Sequence, residues 1–440
     1  MLHVAVIGGG CAGLAAAARL AQANIPVTLF ETAPQPGGRA RSVYWNGQTL
    51  DNGQHILLGA YSETLSLLEL AGITQSEVLL RLPLQLTMQP GFELRAWRHM
   101  PAPLHVLCGL ALAKGLSWHE RWRAILFMSR MRLAGFRLKR DQSLAELLEV
   151  QGQPEKLVRL LWEPICLAAL NTPVAMASAQ IFLNVLRDSF LQAKKDSDLL
   201  LPKQDLSRVL ALPLVEFITK KQGRVEIGVG IERIARSGET FELEDSKGRM
   251  IACSHIILAV PPFRLAQLTG ALPEFKAATS CATMSYQPIC TVYLQYEAEL
   301  RLEQPMTGLT QGMGQWVFDR GQLDLQHGLL AVVISAEGRH QNLSPEQLVH
   351  AISKELGLAF PSLAQKLATP LWHKVITEKR ASFACTPGLH RPQMLTEIPG
   401  LYLAGDYVAG DYPATIEGAA RSGANAARHL IQSLQQGKAS

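Results

Sequence analysis

The sequence predicts an α/β fold in which a domain built on a parallel sheet is interleaved with an α+β domain. Three observations carry this. A βαβ unit opens the chain, with a strand at residues 2–7, a glycine-rich turn at 8–13 and an Ala-rich helix at 14–23. Further strand-like runs appear only after residue 222, and again at 401–404. Between these blocks lie a stretch that reads as mostly helical, 59–204, and a mixed stretch, 276–384. The expected first domain is therefore made of residues 1–58, 205–275 and 385–440, and the second of 59–204 and 276–384.

Each element has its own signal. Asn24 stops the first helix, and a strand at 26–30 ends at Glu31. Residues 59–204 show apolar spacings of three and four with few β-branched runs, which is the helical period. Strands are expected at 223–227, 240–243 and 256–260, the last ended by Pro261-Pro262, because proline removes the donor. Two more are expected at 291–295 and 329–334. Ser344-Pro345-Glu346 caps a helix that runs to Leu356. A strand at 401–404, a Gly-Asp turn and a helix from about Ile416 close the chain.

The 440 residues are 48% hydrophobic and 18% charged, enough apolar content for a large core and too much for a disordered chain. The net charge of +5 is unevenly spread. Residues 95–140 hold ten basic residues against one acid, Glu120, interleaved from residue 101 with Trp, Phe, Leu, Ile and Met. Such an island argues against general nucleic-acid binding and for one local anionic partner. Seven scattered cysteines without a C-x-x-C leave no disulfide framework or metal site to expect, and they fit a reducing compartment. No charged n-region with a cleavage site precedes the first strand, and no apolar run is long enough to span a bilayer. The expectation is a cytoplasmic protein that meets a membrane only at its surface.

Gly8-x-Gly10-x-x-Gly13 follows a strand and opens a helix, and Glu31 stands 18 residues beyond the last glycine. The first glycine permits the tight turn, the second lets a pyrophosphate approach the backbone, and the third lets helix and strand pack closely. The helix N-terminus offers free N–H groups to phosphates, and Glu31 can accept from ribose hydroxyls while disfavouring a 2′-phosphate. A dinucleotide site of the Rossmann type is expected, and the motif leaves NAD and FAD both open.

Three further segments narrow the choice. They are Gly37-Gly38-Arg39-Ala40-Arg41, Gly405-Asp406, and Glu417-Gly418-Ala419-Ala420-Arg421-Ser422-Gly423. With the N-terminal unit they make the chain resemble the flavin amine oxidase and phytoene desaturase superfamily. The resemblance implies an amine oxidase-like two-domain fold and FAD. It implies that Gly8, Gly10, Ala12, Gly13, Glu31, Gly38, Arg39 and Gln54 line the cofactor. It places Val225 at the adenine, Asp406 at the ribityl and phosphate region, and the N-terminus of the helix at Ile416 toward the pyrimidine edge. Positive dipole there would stabilise an anionic reduced ring.

A narrower resemblance lies in Asp51-Asn52-Gly53-Gln54-His55-Ile56-Leu57-Leu58-Gly59-Ala60-Tyr61, Glu378-Lys379-Arg380-Ala381-Ser382-Phe383 and Pro413-Ala414-Thr415-Ile416-Glu417-Gly418-Ala419. These look like the squalene-associated branch, the hydroxysqualene dehydroxylases of bacterial hopanoid synthesis. The reaction that this implies removes an allylic hydroxyl from a C30 isoprenoid, with reduced FAD as hydride donor. Loss of hydroxide needs a proton donor or a cationic transition state in an apolar pocket. Asp51 and His55 are the expected catalytic acids, with Asp411 and Tyr412 as alternatives. Where amine-oxidising relatives carry a lysine, this chain has Ile289 and Cys290, and Thr415 stands at an aromatic position of their amine cage. A lysine-free site suits a hydrocarbon. Cys385 reads as an ordinary thiol. Two other readings remain: a carotenoid-type desaturase working oxidatively, and a non-catalytic prenyl-lipid escort on the same fold. The expected partners are a long-chain isoprenoid, an anionic membrane surface at residues 95–140, and other enzymes of the squalene pathway.

Overall fold

The computed structural model describes residues 2–190 and 192–436. Residue 1, residue 191 and residues 437–440, which fall in the expected segments 1–58, 59–204 and 385–440, lie outside them. A five-stranded parallel sheet has the order Arg224–Ile227, Val27–Glu31, Val4–Ile7, His255–Leu258, Leu401–Leu403. Every residue of Val4–Ile7 is buried, as a central strand covered on both faces requires. Helices Cys11–Gln22 and Ile416–Gln436 cross so closely that a Cβ on Gly423 would sit 1.9 Å from Ala12 O. The alanines of the first helix and the glycines and alanines of the last are what permit this approach.

The first helix begins at Cys11 rather than residue 14, because Gly10 already serves as its extended N-cap. It ends at Gln22, and Asn24 takes a left-handed conformation with φ 56°.

The second domain is built on a seven-stranded sheet. Its order is Trp372–Phe383, Tyr286–Gln295, Leu329–Ser335, Trp316–Asp319, Met306–Leu309, Gln85–Gln89, Phe92–Arg95. One face packs on Pro345–Ala359 through Val292, Leu294, Leu330, Val332, Ile352 and Leu356. The other faces the parallel-sheet domain. The mostly helical reading of 59–204 needs correction here. That stretch also holds strands Leu79–Leu82, Gln85–Gln89, Phe92–Arg95 and Leu199–Pro202. Leu86 and Met88 are buried while their neighbours are half-exposed, a period of two too brief to stand out from a helical background.

Candidate active site

A cavity of about 750 Å³ lies between the C-terminal ends of the parallel strands and the inner face of the larger sheet. Open α/β sheets bind ligands at that edge. Gly8 follows the first strand, Glu31 ends the second, Ala259 follows the fourth and Gly405 the fifth, and all four reach the wall. Ile289, Trp316, Phe318 and Val333 close the opposite side.

The glycines divide by what a side chain would meet. Gly8 has φ +107°, and a Cβ there would lie 2.5 Å from Ala259 O. A Cβ on Gly13 would lie 1.8 Å from Gly8 O, so strand and helix touch at that point. A Cβ on Gly10 would meet nothing closer than Gly38 Cα at 4.0 Å, so that backbone faces the open cavity. Glu31 is fixed by two backbone donors, Gly9 N and Ala33 N, each at 2.7 Å. Its remaining lone pairs are free for a diol. Arg39 donates to Asp406 Oδ2 at 2.8 Å and to Ala381 O at 2.7 Å, which ties the glycine-rich loop after the second strand to the C-terminal Gly-Asp turn. Glycines open to the cavity, a fixed acid and a paired arginine fit a dinucleotide pyrophosphate and ribose.

The structure puts Gly8, Gly10, Ala12, Glu31, Gly38, Arg39, Gln54, His55, Gly405, Asp406 and Ile416 on one wall. Gly13, Val225 and Asp51 are not on it. Val225 sits mid-strand opposite Leu29. Asp51 is buried behind the wall, where Oδ1 accepts from Leu206 N at 2.8 Å and Oδ2 has no partner. Burial pushes its carboxyl up to about 7, against the pull of Arg320. His55 reaches the cavity, but burial pushes its imidazole down to about 4. It is neutral at pH 7 and is a poor proton donor. Asp411 is on the surface, paired with Arg187 at 3.1 Å.

A second, almost wholly apolar chamber of about 110 Å³ adjoins the first. The two share Ile56, Tyr61, Ala168, Ala169, Trp316 and Thr415. Leu58, Leu84, Leu86, Leu186 and Met306 continue the chamber wall. Ile289 faces the large cavity, while alternation turns Cys290 into the cluster on the far side of the sheet. Among the described residues, no lysine lines either space. Tyr61 and Tyr412 pack edge to face, with ring centroids 6.4 Å apart. The hydroxyl of Tyr412 and the indole N–H of Trp316 are buried without a partner among the described residues. Arg421 lies 4.3 Å over the Tyr412 ring and opposes the upward push that burial gives its phenol.

Sequence reasoning missed Arg391. It donates to the carbonyls of Asp406, Tyr407, Val408, Gly410 and Tyr412 and so shapes the loop that carries Asp406 and Tyr412. A lone arginine eight residues after Phe383 and fourteen before Gly405 belongs to neither segment and gives no local signal. Cys385 is buried, its thiol pushed up to about 12 by that burial, as an unreactive thiol should be.

A family model described as flavin containing amine oxidoreductase matches residues 11–431. A hydroxysqualene dehydroxylase of Sinorhizobium fredii is 28% identical, with 97% of each chain covered. A 15-cis-phytoene desaturase of Solanum lycopersicum is 24% identical over 99% of this chain and 78% of its own. Among solved structures, putrescine oxidase bound to putrescine superposes with a TM-score of 0.71 at 17% identity, covering 98% of this chain and 99% of that one.

Proposed function

Since the chain belongs to the flavin containing amine oxidoreductase family and is an FAD-dependent oxidoreductase, we propose that it removes the allylic hydroxyl of hydroxysqualene to give squalene. The observation that carries this reading is the apolar, lysine-free chamber joined to the dinucleotide cavity, with unpartnered hydroxyl and indole donors in its wall. The carboxylate in the chamber lining, Asp188, is already paired with Arg187 at 2.7 Å, so an amine substrate would find no free partner for its charge there. A plain hydrocarbon would leave buried donors unpaired, which costs roughly 1–3 kcal/mol each. An alcohol on a long apolar chain satisfies both halves of the site.

When bound, FAD supplies the hydride that replaces the departing oxygen. The protein does the rest. Ile56, Ala168, Ala169 and the leucines exclude water from the reacting carbon. Tyr412 holds the substrate hydroxyl and gives its proton as the C–O bond breaks, so that the oxygen leaves as water. Arg421 above the ring offsets part of the penalty that burial puts on the phenolate that remains. Trp316 donates to the same oxygen and fixes its position. Asp51 and His55 act behind and beside the cofactor rather than as the acid.

The similarity to a phytoene desaturase favours one rival, an oxidative desaturation. Anaerobic incubation of photoreduced protein with hydroxysqualene, and of oxidised protein with phytoene, separates the two. Squalene formed in step with flavin oxidation supports the proposal. Flavin reduced by phytoene, with hydroxysqualene untouched, overturns it.

A further inference from the structure

We propose that residues 95–140 form a docking face for an anionic phospholipid bilayer, seated over the end of the apolar chamber. Helix Trp118–Leu133 has two apolar faces. Ala124, Phe127, Met128 and Met131 are buried in the core. On the opposite side Trp118, Trp122 and Leu133 are 70%, 52% and 89% exposed. At about 100° per residue these three fall within roughly 60° of one another. A globular helix buries one apolar face and leaves the other polar, so the second stripe needs an explanation.

The stripe continues beyond this helix. Trp97, Met100, Leu104 and Leu112 are also exposed, and helix Leu104–Ala111 packs against Trp118–Leu133. Around them stand Arg98, Arg130, Arg132, Arg137, Lys139 and Arg140, all exposed and without an ion pair among the described residues. By contrast Arg121 and Arg123 spend their guanidinium groups on backbone carbonyls. Exposed tryptophan and leucine in one segment with exposed cations that lack an ion pair among the described residues match an interface with anionic headgroups above and acyl chains below. Among the described residues no helix is long and apolar enough to cross a membrane, and the proposed contact is with one leaflet.

The inner side of the same segment touches the chamber. Ala96 N donates to Leu84 O at 2.9 Å, and His105 Nε2 lies 3.0 Å from Ser197 Oγ. Leu84 and Ser197 are chamber-wall residues. A hydrophobic substrate dissolved in the leaflet thus meets the segment that borders the chamber. This last step rests on the isoprenoid reading above, while the docking itself does not.

Flotation of the full-length, FAD-loaded protein with vesicles of phosphatidylglycerol and phosphatidylcholine tests the docking independently of activity. The expected result is recovery with the anionic vesicles at low salt and none with pure phosphatidylcholine. Recovery should fall at least tenfold at about 0.5 M salt, where the Debye length is a few ångströms. Trp118→Ser with Trp122→Ser, and separately Arg98→Glu with Arg132→Glu and Arg137→Glu, should each lower recovery at least tenfold while FAD content and Tm stay unchanged. No flotation at low salt overturns the proposal. So does flotation untouched by both variants. A dimer in light scattering that the tryptophan variant converts to monomer, without vesicle binding, also overturns it and assigns the face to a second copy.

Discussion

The Arg39 guanidinium meets Asp406 Oδ2 at 2.8 Å across 367 positions of sequence, and the pair stands on the cofactor wall. Each group restrains the other: Asp406 is 7% exposed and would otherwise be a nearly bare buried carboxylate. Removing one partner of a buried pair costs about 3–5 kcal/mol. Arg39 is 42% exposed, and water screens much of that, leaving ~1–2 kcal/mol. Arg39→Met is therefore expected to lower Tm by a few degrees and to weaken FAD binding at least tenfold, read by flavin fluorescence during dilution. Unchanged affinity would remove Arg39 from the cofactor site.

Asp51 and His55 tilt stability in opposite directions with pH. The Asp51 carboxyl, pushed up to about 7, keeps a proton that the unfolded chain releases above its ordinary value of 3.8. Its contribution is fully present below that value and is lost as pH rises through about 7. His55, pushed down to about 4, refuses a proton that the unfolded chain takes up below 6.5. Its contribution grows as pH rises from about 4 to 6.5. Asp51→Asn should then make Tm climb more steeply than the parent across that window, and His55→Gln should make it climb less. Calorimetry of the FAD-loaded proteins showing parallel profiles for all three would refute the assignment.

How much of this was legible in the sequence depends on the range over which each residue acts. Gly8, Gly10, Gly13 and Glu31 act within one βαβ unit, so spacing alone located the turn and the acid. Arg39 and Asp406 each lie in a recognisable segment, yet nothing local says that they touch. Arg391, Trp316 and Tyr61 line or hold the site through contacts between elements far apart in sequence, and composition carries no trace of such contacts. The two expected acids divide for the same reason. His55 lines the cavity, whereas Asp51, four residues away, turns its side chain toward Leu206 and is not part of the lining.

Arg391 satisfies five carbonyls of a single loop while its guanidinium stacks 5.0 Å from the Phe383 ring. Bonds to a charged donor contribute about 1.5–3 kcal/mol each, with non-additive sums. Arg391→Met is expected to cost at least ~3 kcal/mol and to release FAD on gel filtration, because the loop carries Asp406. Arg391→Lys, which cannot reach all five, should recover only part. A variant that keeps both Tm and flavin would show that the loop holds itself.

Tyr412→Phe removes the hydroxyl and keeps the ring against Tyr61. A positioned proton donor is worth roughly 10²–10⁴ in rate. Single-turnover oxidation of photoreduced enzyme by hydroxysqualene should slow by at least about 10², with FAD affinity unchanged. Asp411→Asn should leave that rate where it was, since its side chain is on the surface and paired with Arg187. A full rate in Tyr412→Phe would take the phenol out of the chemistry and leave Trp316 as the only donor named for the oxygen.

Two glycines separate what the fold needs from what the cofactor needs. Alanine at Gly423 would put its Cβ 1.9 Å from Ala12 O, where two helix backbones cross and neither can move aside. Gly423→Ala is therefore expected to cost several kcal/mol by overpacking and to yield little soluble protein. Alanine at Gly10 meets nothing within 3.9 Å and needs no positive φ, so Gly10→Ala should fold with a Tm near that of the FAD-free parent. Its methyl group stands where a pyrophosphate must approach the backbone, so FAD binding should fall at least tenfold. A Gly10→Ala protein that is fully yellow would mean that the phosphates lie elsewhere, and with them the whole orientation of the cofactor along the cavity.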